Sequence, residues 1–528
     1  MNKTTAALLA ISLVFPCAHG AQSLVQVSGC EPGKLSAMPD AAFAKFDWFF
    51  SARIEKIRAT PNMKVPEGAP CRYLSEKGDD EADGLTPATA WRTTSRLNKD
   101  ELAPGSFVLF ERGSLFRGGV KTYPGVTYTA YGTGPKPRVY SSPEDGADPA
   151  KWEKTNVANV WRYKIGDKDV GTLVFDGGKQ HAIKIIPVYN DDGTFTQQYG
   201  KRPFNNGYAD LAEDLHFWHD YSAKTRFQPH AKGTGYLYLY SKENPGKRFK
   251  SIEFCVKKNA FGVKDGVTVD NICVMYVGAH GIGGGTVKDF KVTNCEIAWI
   301  GGSIQCESFY GAKRPTRYGN GVEIYGGCDG YTIDNCYVHD VYDAGLTHQY
   351  DMRSWKGGEP VLMKNVKYSR NVIERCNYSI EYFLHCISDP VKNPSRMENV
   401  LIERNLMRDA AKGFCEQRPD RSQGAHIKCW RYWGGNSHNN RATGFVIRDN
   451  LMSIRDNMLV EISASIMNPD GSDSMPEMKG NVFVGAEGQR FGVLNQGKAK
   501  ELKYDESLPG QLGARFADNV FATRSAGK

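Results

Sequence analysis

Eight copies of a short segment decide the fold of this chain: Val269-Asp270-Asn271-Ile272, Val292-Thr293-Asn294-Cys295, Ile333-Asp334-Asn335-Cys336, Ser369-Arg370-Asn371-Val372, Glu403-Arg404-Asn405-Leu406, Arg448-Asp449-Asn450-Leu451, Lys479-Gly480-Asn481-Val482 and Ala517-Asp518-Asn519-Val520. Consecutive asparagines lie between 23 residues (Asn271 to Asn294) and 45 residues (Asn405 to Asn450) apart. Such spacing is too irregular for a helical solenoid, but it is typical of a coiled β chain with a short constant core and variable loops.

An asparagine ladder would explain this repeat. Asparagine tolerates the left-handed backbone of a tight bend, and its amide can hydrogen-bond to the asparagine one coil above. We therefore predict an all-β chain whose main body is a right-handed parallel β-helix. Cys295 and Cys336 follow the asparagine in two copies, at the place that residues such as Val372 take elsewhere. Both thiols are therefore expected to face inward as small hydrophobic groups.

The composition agrees with a β-rich globular protein. Of 528 residues, 56 are glycine, 40% are hydrophobic and 11% are aromatic, which excludes a disordered chain. The glycines follow no Gly-X-Y period, which excludes collagen and indicates many tight turns. The formal net charge of +8 at pH 7 favours an acidic partner. The charge is modest and the chain is predicted to be exported, so nucleic acid is not an expected partner.

The N-terminus has the pattern of a signal peptide. Lys3 precedes the apolar run Ala6–Pro16, and Ala18-His19-Gly20 forms a small-x-small cleavage site. We expect cleavage near Gly20 and a secreted or periplasmic, monomeric protein. No later run offers the ~20 apolar residues of a membrane span. Because an oxidising compartment permits disulfides, Cys30 with Cys71 and Cys306 with Cys328 are candidate bridges.

Composition and periodicity divide the chain into four parts. Residues 1–20 are the signal peptide, and residues 21–150 form an N-terminal cap of mixed structure and the first β-helix coils. Residues 151–250 form a small inserted β subdomain, and residues 251–528 form the β-helix with a catalytic groove. Within the N-terminal part, Phe43–Ala59 has helical periodicity, with Phe43, Phe46, Phe49, Phe50, Ile54 and Ile57 on one side.

A second short strand is expected about ten residues after each asparagine. Its apolar residue marks the inward position, so the next side chain points outward. The outward register contains Glu323, Thr347, Glu381 and Glu461, with Glu416 one position further on and Asp343 just ahead of its strand. Neighbouring coils are ~4.8 Å apart, and like charges at that range raise one another's pKa. Such a row of carboxylates suits either glycoside cleavage or Ca²⁺ binding.

Each candidate residue has an expected role. The catalytic candidates are Glu323, Asp343, Glu381 and Glu416, with Asp343 and Glu381 as the preferred pair, and a hydrolase of this kind requires no cofactor. The substrate-binding candidates are His280, Tyr318, His348, Trp355, Lys412, Arg418 and Trp430. If the protein is instead a lyase, Glu323, Glu381 and Glu416 would hold Ca²⁺, and Lys412, Arg418 or His348 would remove the proton next to a uronate carboxylate.

A family resemblance adds to this reading. The segments Asp83–Trp91, Pro104–Phe110 and Tyr131–Pro137, together with the asparagine repeats, resemble secreted bacterial parallel β-helix proteins of the pectate-lyase-like superfamily. That resemblance implies polysaccharide or oligosaccharide substrates. The Asn-Thr-Asp and Gly-His-Gly motifs of polygalacturonases are absent. We expect a glycoside hydrolase acting on an acidic or sulfated glycan; the alternatives are a Ca²⁺-dependent polysaccharide lyase and a non-catalytic glycan-binding β-helix.

Overall fold

The structure is a computed structural model. It describes residues 30–38, 40–198, 201–222, 233–306, 315–351, 359–385, 394–419, 424–429, 441–454, 457–462, 474–495 and 499–524. The predicted signal peptide and the candidate residues Trp355 and Trp430 lie outside these ranges. No helix within the described ranges is long and apolar enough to cross a membrane.

The chain forms a parallel β-helix with three faces, which confirms the predicted fold class. The first face consists of the parallel strands Cys71–Leu74, Phe107–Glu111, Thr127–Tyr131, Thr268–Asp270, Val287–Thr293, Cys328–Asp334, Leu362–Ser369, Arg396–Glu403, Ala442–Arg448 and Glu477–Lys479. Each strand of this face pairs with the strand of the next coil, so the first face runs along nearly the whole β-helix.

The second and third faces form one continuous sheet. The second face contains Leu115–Arg117, Arg138–Tyr140, Cys273–Val277, Glu296–Ile300, Leu406–Arg408, Leu451–Ser453, Val482–Ala486 and Val520–Arg524. The third face contains Phe261–Gly262, Ile282–Gly284, Val322–Tyr325, Ala425–Cys429, Met458–Ile462 and Arg490–Asn495, the last paired antiparallel with Ala499–Lys503. Two long strands, Tyr337–Asp351 and Val372–His385, bend at the corner and belong to both faces.

Stacked apolar side chains fill the interior. One such stack continues from coil to coil through Ile297, Val338, Ile373, Met407, Met452, Phe483 and Phe521. Every member of this stack is fully buried. The stack supplies much of the apolar area whose removal from water stabilises the fold.

The asparagine ladder is present, but the repeat shifts by one residue between its first three and last five copies. Asn371, Asn405, Asn450, Asn481 and Asn519 are buried, and amide hydrogen bonds of 2.8–3.0 Å join them. In four of these copies the residue before the asparagine has a left-handed backbone: Arg370, Arg404, Asp449 and Gly480. In the first three copies the asparagine itself is left-handed, with φ of 56–57° at Asn271, Asn294 and Asn335.

The two cysteines therefore occupy the ladder position and not the position after it. The Cys336 amide donates to Asn371 Oδ1 at 2.9 Å, and the Cys295 amide donates to Cys336 Sγ at 3.4 Å. Both thiols are buried as expected, but the predicted alignment with Val372 is wrong by one residue. The thiols of Cys30, Cys71, Cys306 and Cys328 are free, so neither candidate bridge is present.

The predicted N-terminal helix is confirmed and covers the second face. It spans Asp40–Arg58, and the side formed by Phe46, Phe49, Phe50, Ile54 and Ile57 packs against Val372, Leu406, Leu451 and Val482. The strand Leu35–Met38 pairs in parallel with Val520–Arg524 in the last coil. Residues 35–38 of the predicted N-terminal part thus lie at the last coil, whereas Cys71–Leu74 and Phe107–Glu111 pair in the first coils.

The remaining elements are short. A five-stranded sheet contains Trp152–Lys154, Val160–Lys164, Ile183–Lys184, His216–Asp220 and Tyr236–Tyr240. The hairpin Pro187–Tyr189 with Phe195–Gln197 comes between the third and fourth of these strands along the chain. Val170–Phe175, from the same stretch of chain, instead pairs with Ile252–Val256 in the β-helix sheet, which Gln180–His181 also joins. The short helices are Pro87–Thr89, Thr94–Leu97, Pro149–Lys151, Gly207–Asp210, Pro245–Arg248, Gly413–Gln417, Leu508–Leu512 and Ala514–Phe516. The hairpin Ser303–Cys306 with Thr316–Tyr318 is a separate two-stranded sheet.

Candidate functional site

One row of side chains runs along the outer surface of the third face. Strand register places Gly283, Glu323, Thr347, Glu381, Lys428, Glu461 and Val493 opposite one another in successive coils. We call this set the third-face row. The row brings together Glu323, Thr347, Glu381 and Glu461 as the sequence predicted, with ~4.8 Å between neighbouring coils.

Lys428, and not Glu416, occupies the coil between Glu381 and Glu461. Glu416 lies in the 3₁₀-helix Gly413–Gln417, where its side chain is 42% exposed and pairs with Lys412 at 3.7 Å. The sequence Gly413-Phe414-Cys415-Glu416 has the pattern of a third-face strand. Phe414, however, packs outside the β-helix interior against Trp299. The predicted place of Glu416 beside the outward register is therefore wrong, and Lys412 is the N-cap residue of the same 3₁₀-helix.

His348 faces the interior, which corrects its expected contact with substrate. Its side chain is fully buried, its Nδ1 lies 2.9 Å from the Tyr368 hydroxyl, and its ring stacks on Tyr382. Burial lowers the pKa of His348 to about 3, so the ring is neutral. Alternation along the strand explains this position: Thr347 points outward, and the next residue must point inward.

Glu323 is held as a carboxylate by its neighbours. His280 Nδ1 lies 3.0 Å from Glu323 Oε2, Gln349 Nε2 donates to the same oxygen at 3.2 Å, and the Asn320 amide also donates to it. Burial alone would raise the pKa of Glu323, but His280 and these hydrogen bonds lower it. Gly283 allows this approach, since a Cβ there would lie 2.7 Å from the His280 Cβ.

Asp343 lies beside the row and pairs with Arg418. Arg418 Nη1 donates to Asp343 Oδ1 at 2.5 Å, and both side chains are 8% exposed. The Arg418 guanidinium also lies over the rings of Tyr342 and Tyr378, at 5.4 and 5.6 Å from their centroids. Asp343 and Arg418, both candidates from the sequence, are thus joined by a salt bridge, and the charges of both act on Glu381.

Glu381 differs from its neighbours. Among the residues that the structure describes, none donates a hydrogen bond to its carboxyl group or forms an ion pair with it. Its side chain is buried, and burial, with the nearby charge of Asp343, raises its pKa well above the ordinary value despite Lys428 and Arg418. Lys428 is itself paired with Glu461. Glu381 therefore holds its proton more tightly than an ordinary glutamate does, whereas the surroundings of Glu323 favour its ionised form.

Gln417 fixes the segment that carries Arg418. Its Oε1 accepts hydrogen bonds from the Lys184 backbone amide at 3.2 Å and from Arg317 Nη1 at 2.9 Å. Lys184 belongs to the five-stranded sheet, and its buried ammonium pairs with Asp169 at 2.5 Å. The Gln417 side chain is thus anchored by two donors, and Arg418 is the next residue along the chain. The five-stranded sheet thus contributes to the site without supplying a row residue.

Two other candidates are only partly placed in the site. His280 contacts Glu323 and keeps 20% of its side chain exposed, as a residue at the entrance of a site would. Tyr318 is half-buried in the hairpin next to the third face, opposite Ser303.

No cluster of three or more His, Cys, Asp or Glu side chains that could hold a metal ion occurs in the described part of the chain. The proposed Ca²⁺ ligand set is not assembled, because Glu416 is away from the row.

Sequence reasoning missed the residues that tune the carboxyl groups. The row position of Lys428 was not predicted, and Asn320, Gln349 and Gln417 were not singled out. The outward register that identifies Thr347 also identifies Gln349 two residues later, so this residue was within reach of the pattern. Gln417 carries no such signal, since its partners come from a distant part of the chain.

Comparisons with known proteins do not assign a family. No protein-family model matches the chain, and no curated protein matches it. Among solved structures, the chain is similar to XylC in its complex with xylose (12% identity, 81% of this chain and 76% of that chain, TM-score 0.38). It is also similar to a lacto-N-biosidase from Eubacterium ramulus (15%, 86% and 69%, 0.35) and a polygalacturonase from Erwinia carotovora ssp. carotovora (9%, 81% and 88%, 0.33). At these identities and TM-scores the likenesses carry no activity over to this chain.

Proposed function

We propose that this protein is an exported glycoside hydrolase whose general acid is Glu381 and whose base is Glu323. The observation that carries the proposal is that these two carboxyl groups share one face, two coils apart, in opposite electrostatic environments. Two carboxyl groups whose surroundings separate their pKa values are the usual acid and base of glycoside cleavage. This pair differs from the pair Asp343 and Glu381 that the sequence favours.

The acid role of Glu381 follows from its surroundings. A glycosidic oxygen needs a proton as its bond to the anomeric carbon breaks. Burial, with the charge of Asp343, raises the pKa of Glu381 well above its ordinary value, and we therefore assign the transferred proton to Glu381. In this proposal Asp343 acts on Glu381 through its charge, since one of its own oxygens already accepts a hydrogen bond from Arg418.

The base role of Glu323 follows from its ion pair and its distance. His280 and two amide donors keep Glu323 ionised, so it can accept a proton from water. Two coils of ~4.8 Å put the backbones of Glu323 and Glu381 ~10 Å apart, close to the ~6.5–9.5 Å between carboxyl groups of inverting enzymes. The small residue Thr347 lies between them. We therefore expect the configuration at the anomeric carbon to be inverted.

The test is a glycan panel with product analysis. The purified chain is incubated with neutral, uronate-containing and sulfated polysaccharides, and new reducing ends and their anomeric configuration are followed by NMR. We expect new reducing ends of inverted configuration, which disappear in Glu381→Gln and Glu323→Gln. Products that carry the ultraviolet absorbance of an unsaturated uronate would show lyase chemistry, and binding without any product would show a glycan-binding protein. Either outcome would overturn the proposal.

A further inference from the structure

Tyr325 is an exposed aromatic side chain on the same strand and the same face as Glu323. It follows Glu323 by two residues, which places it ~7 Å further along the strand. Tyr325 is 43% exposed, whereas the residues of the third-face row are nearly all buried. An aromatic ring left open beside a proposed base is the feature that requires an explanation.

The neighbouring coils explain why this ring is open. On one side the residue after Gly284, the partner of Ile324, is Gly285, where a built Cβ would meet only the Tyr325 carbonyl oxygen, at 3.8 Å. Position 285 therefore brings no side chain over the ring. On the other side Tyr350 contacts the ring edge-on, with centroids 5.3 Å apart. The Tyr325 ring is thus in contact with a neighbouring aromatic ring and remains 43% exposed as a residue.

A buried acceptor lies in the next coil. Gln349 is the register partner of Tyr325 and is 8% exposed. Its Nε2 donates to Glu323, which fixes the amide, and its Oε1 has no hydrogen-bond donor among the described residues. A buried acceptor without a donor costs about 1–3 kcal/mol. A ligand hydroxyl would supply the missing donor.

The charges around the ring select the ligand. Tyr325 lies near Glu323 and Asp351, and these charges, after burial, contribute to a pKa of about 12 for its hydroxyl. An anionic sugar placed on the ring would be repelled by both carboxylates. A neutral pyranose would instead place its apolar face on the ring and its hydroxyl groups toward Gln349.

We propose that Tyr325 and Gln349 form a sugar-binding subsite that takes a neutral pyranose unit next to the catalytic carboxyl groups. This inference rests on the proposed function and narrows its substrate: the unit bound here is uncharged, whereas the sequence suggested an acidic or sulfated glycan. The subsite lies toward the ends of the third-face strands, beyond Glu323.

The test measures binding by calorimetry in the Glu381→Gln protein. The probes are the neutral hexasaccharides of β-linked glucose, xylose and galactose and the hexasaccharide of galacturonic acid. We expect at least one neutral probe to bind, Tyr325→Ala to weaken that binding about tenfold, and Tyr325→Phe to stay within about twofold because it keeps the ring. Trp48→Ala is the matched control, since Trp48 is 71% exposed on the helix over the second face.

The outcomes separate this subsite from the proposed function. Unchanged binding in Tyr325→Ala, or binding of the galacturonic acid probe alone, would overturn the subsite even if Glu381→Gln abolishes cleavage. Weakened neutral binding in Tyr325→Ala, together with full cleavage by Glu381→Gln, would support the subsite and reject the catalytic assignment. Unfolding temperatures of the variants equal to that of the parent show that the loss of binding is local.

Discussion

The second and third faces both stack buried carboxylates with a histidine, but they treat these groups differently. On the second face, a cluster that we call the second-face cluster is internally paired; it consists of Arg58, Glu296, Tyr337, His339, Asp340, Glu374, Arg375 and Arg408. Glu374 is bound by Arg375 and Arg408 at 2.5 Å each, and Glu296 by Arg58 at 2.7 Å. On the third face, Glu381 has no such partner among the described residues.

A high density of charged groups is therefore not enough to identify a functional site. In the second-face cluster the pKa of Glu296 is lowered to about 2, because His339 and Arg58 outweigh burial. The helix Asp40–Arg58 supplies one of these cations and covers the face. On the third face the pKa of Glu381 is raised. Burying a carboxyl group without a paired cation lowers the stability of the fold. Such a loss is typical of a group that is retained for chemistry.

The largest expected effect separates the two faces by activity. Glu381→Gln removes the proposed acid and should lower the rate of glycan cleavage about 10²–10⁴-fold without loss of folded protein. Glu374→Gln, the matched control on the second face, should keep the activity per folded molecule. Initial rates and circular dichroism on both variants check this. Equal losses of activity in the two variants would remove the distinction between the faces.

The next effect separates the faces by stability. Arg408→Met leaves Glu374 with one cation fewer, and we expect a loss of about 3 kcal/mol in the free energy of unfolding, at the low end for breaking a buried pair because Arg408 is 22% exposed. Urea unfolding followed by fluorescence measures this. Glu381→Gln should not be destabilised under the same conditions. An unchanged free energy of unfolding in Arg408→Met would show that the second-face cluster contributes little to stability.

The smallest effect is a pH dependence of opposite sign on the two faces. The native state holds the Glu381 proton more tightly than the unfolded chain does, so stability falls as pH rises from ~4.3 toward the raised native pKa. Glu381→Gln removes this loss, and its unfolding temperature should gain on wild type as pH rises. The pKa of Glu374 is lowered. Burial alone would raise it, but Arg375 and Arg408 outweigh burial.

The control for this dependence is Glu374→Gln. The stability that Glu374 contributes is present above its unfolded pKa and is lost as pH falls through its lowered native pKa. Glu374→Gln should therefore be destabilised most at neutral pH and least in acid. Unfolding temperatures of both variants and wild type over a pH series decide the matter; a gap that does not change with pH in either variant would contradict the assigned protonation states.

Much of the fold was predictable from particular residues. The repeating asparagines predicted the coils, and the period of two along each strand predicted that Glu323 and Glu381 face outward together. The one-residue shift at Cys295 and Cys336 was not predictable, because an asparagine suits both the left-handed corner and the buried ladder position. Glu416 was misplaced for a related reason: its local sequence resembles a row strand, and only the contacts of Phe414 direct it elsewhere.

The β-helix and the outward carboxylates were predictable from residue order alone, since both follow from short-range periodicity. Which carboxyl group has a raised pKa and which a lowered one depends on the three-dimensional packing. That outcome depends on how Arg418, Lys428 and His280, from separate coils, are divided among Asp343, Glu461 and Glu323. Electrostatic energies depend on distances of a few ångströms and on burial, and neither quantity is encoded in the spacing of residues along the chain.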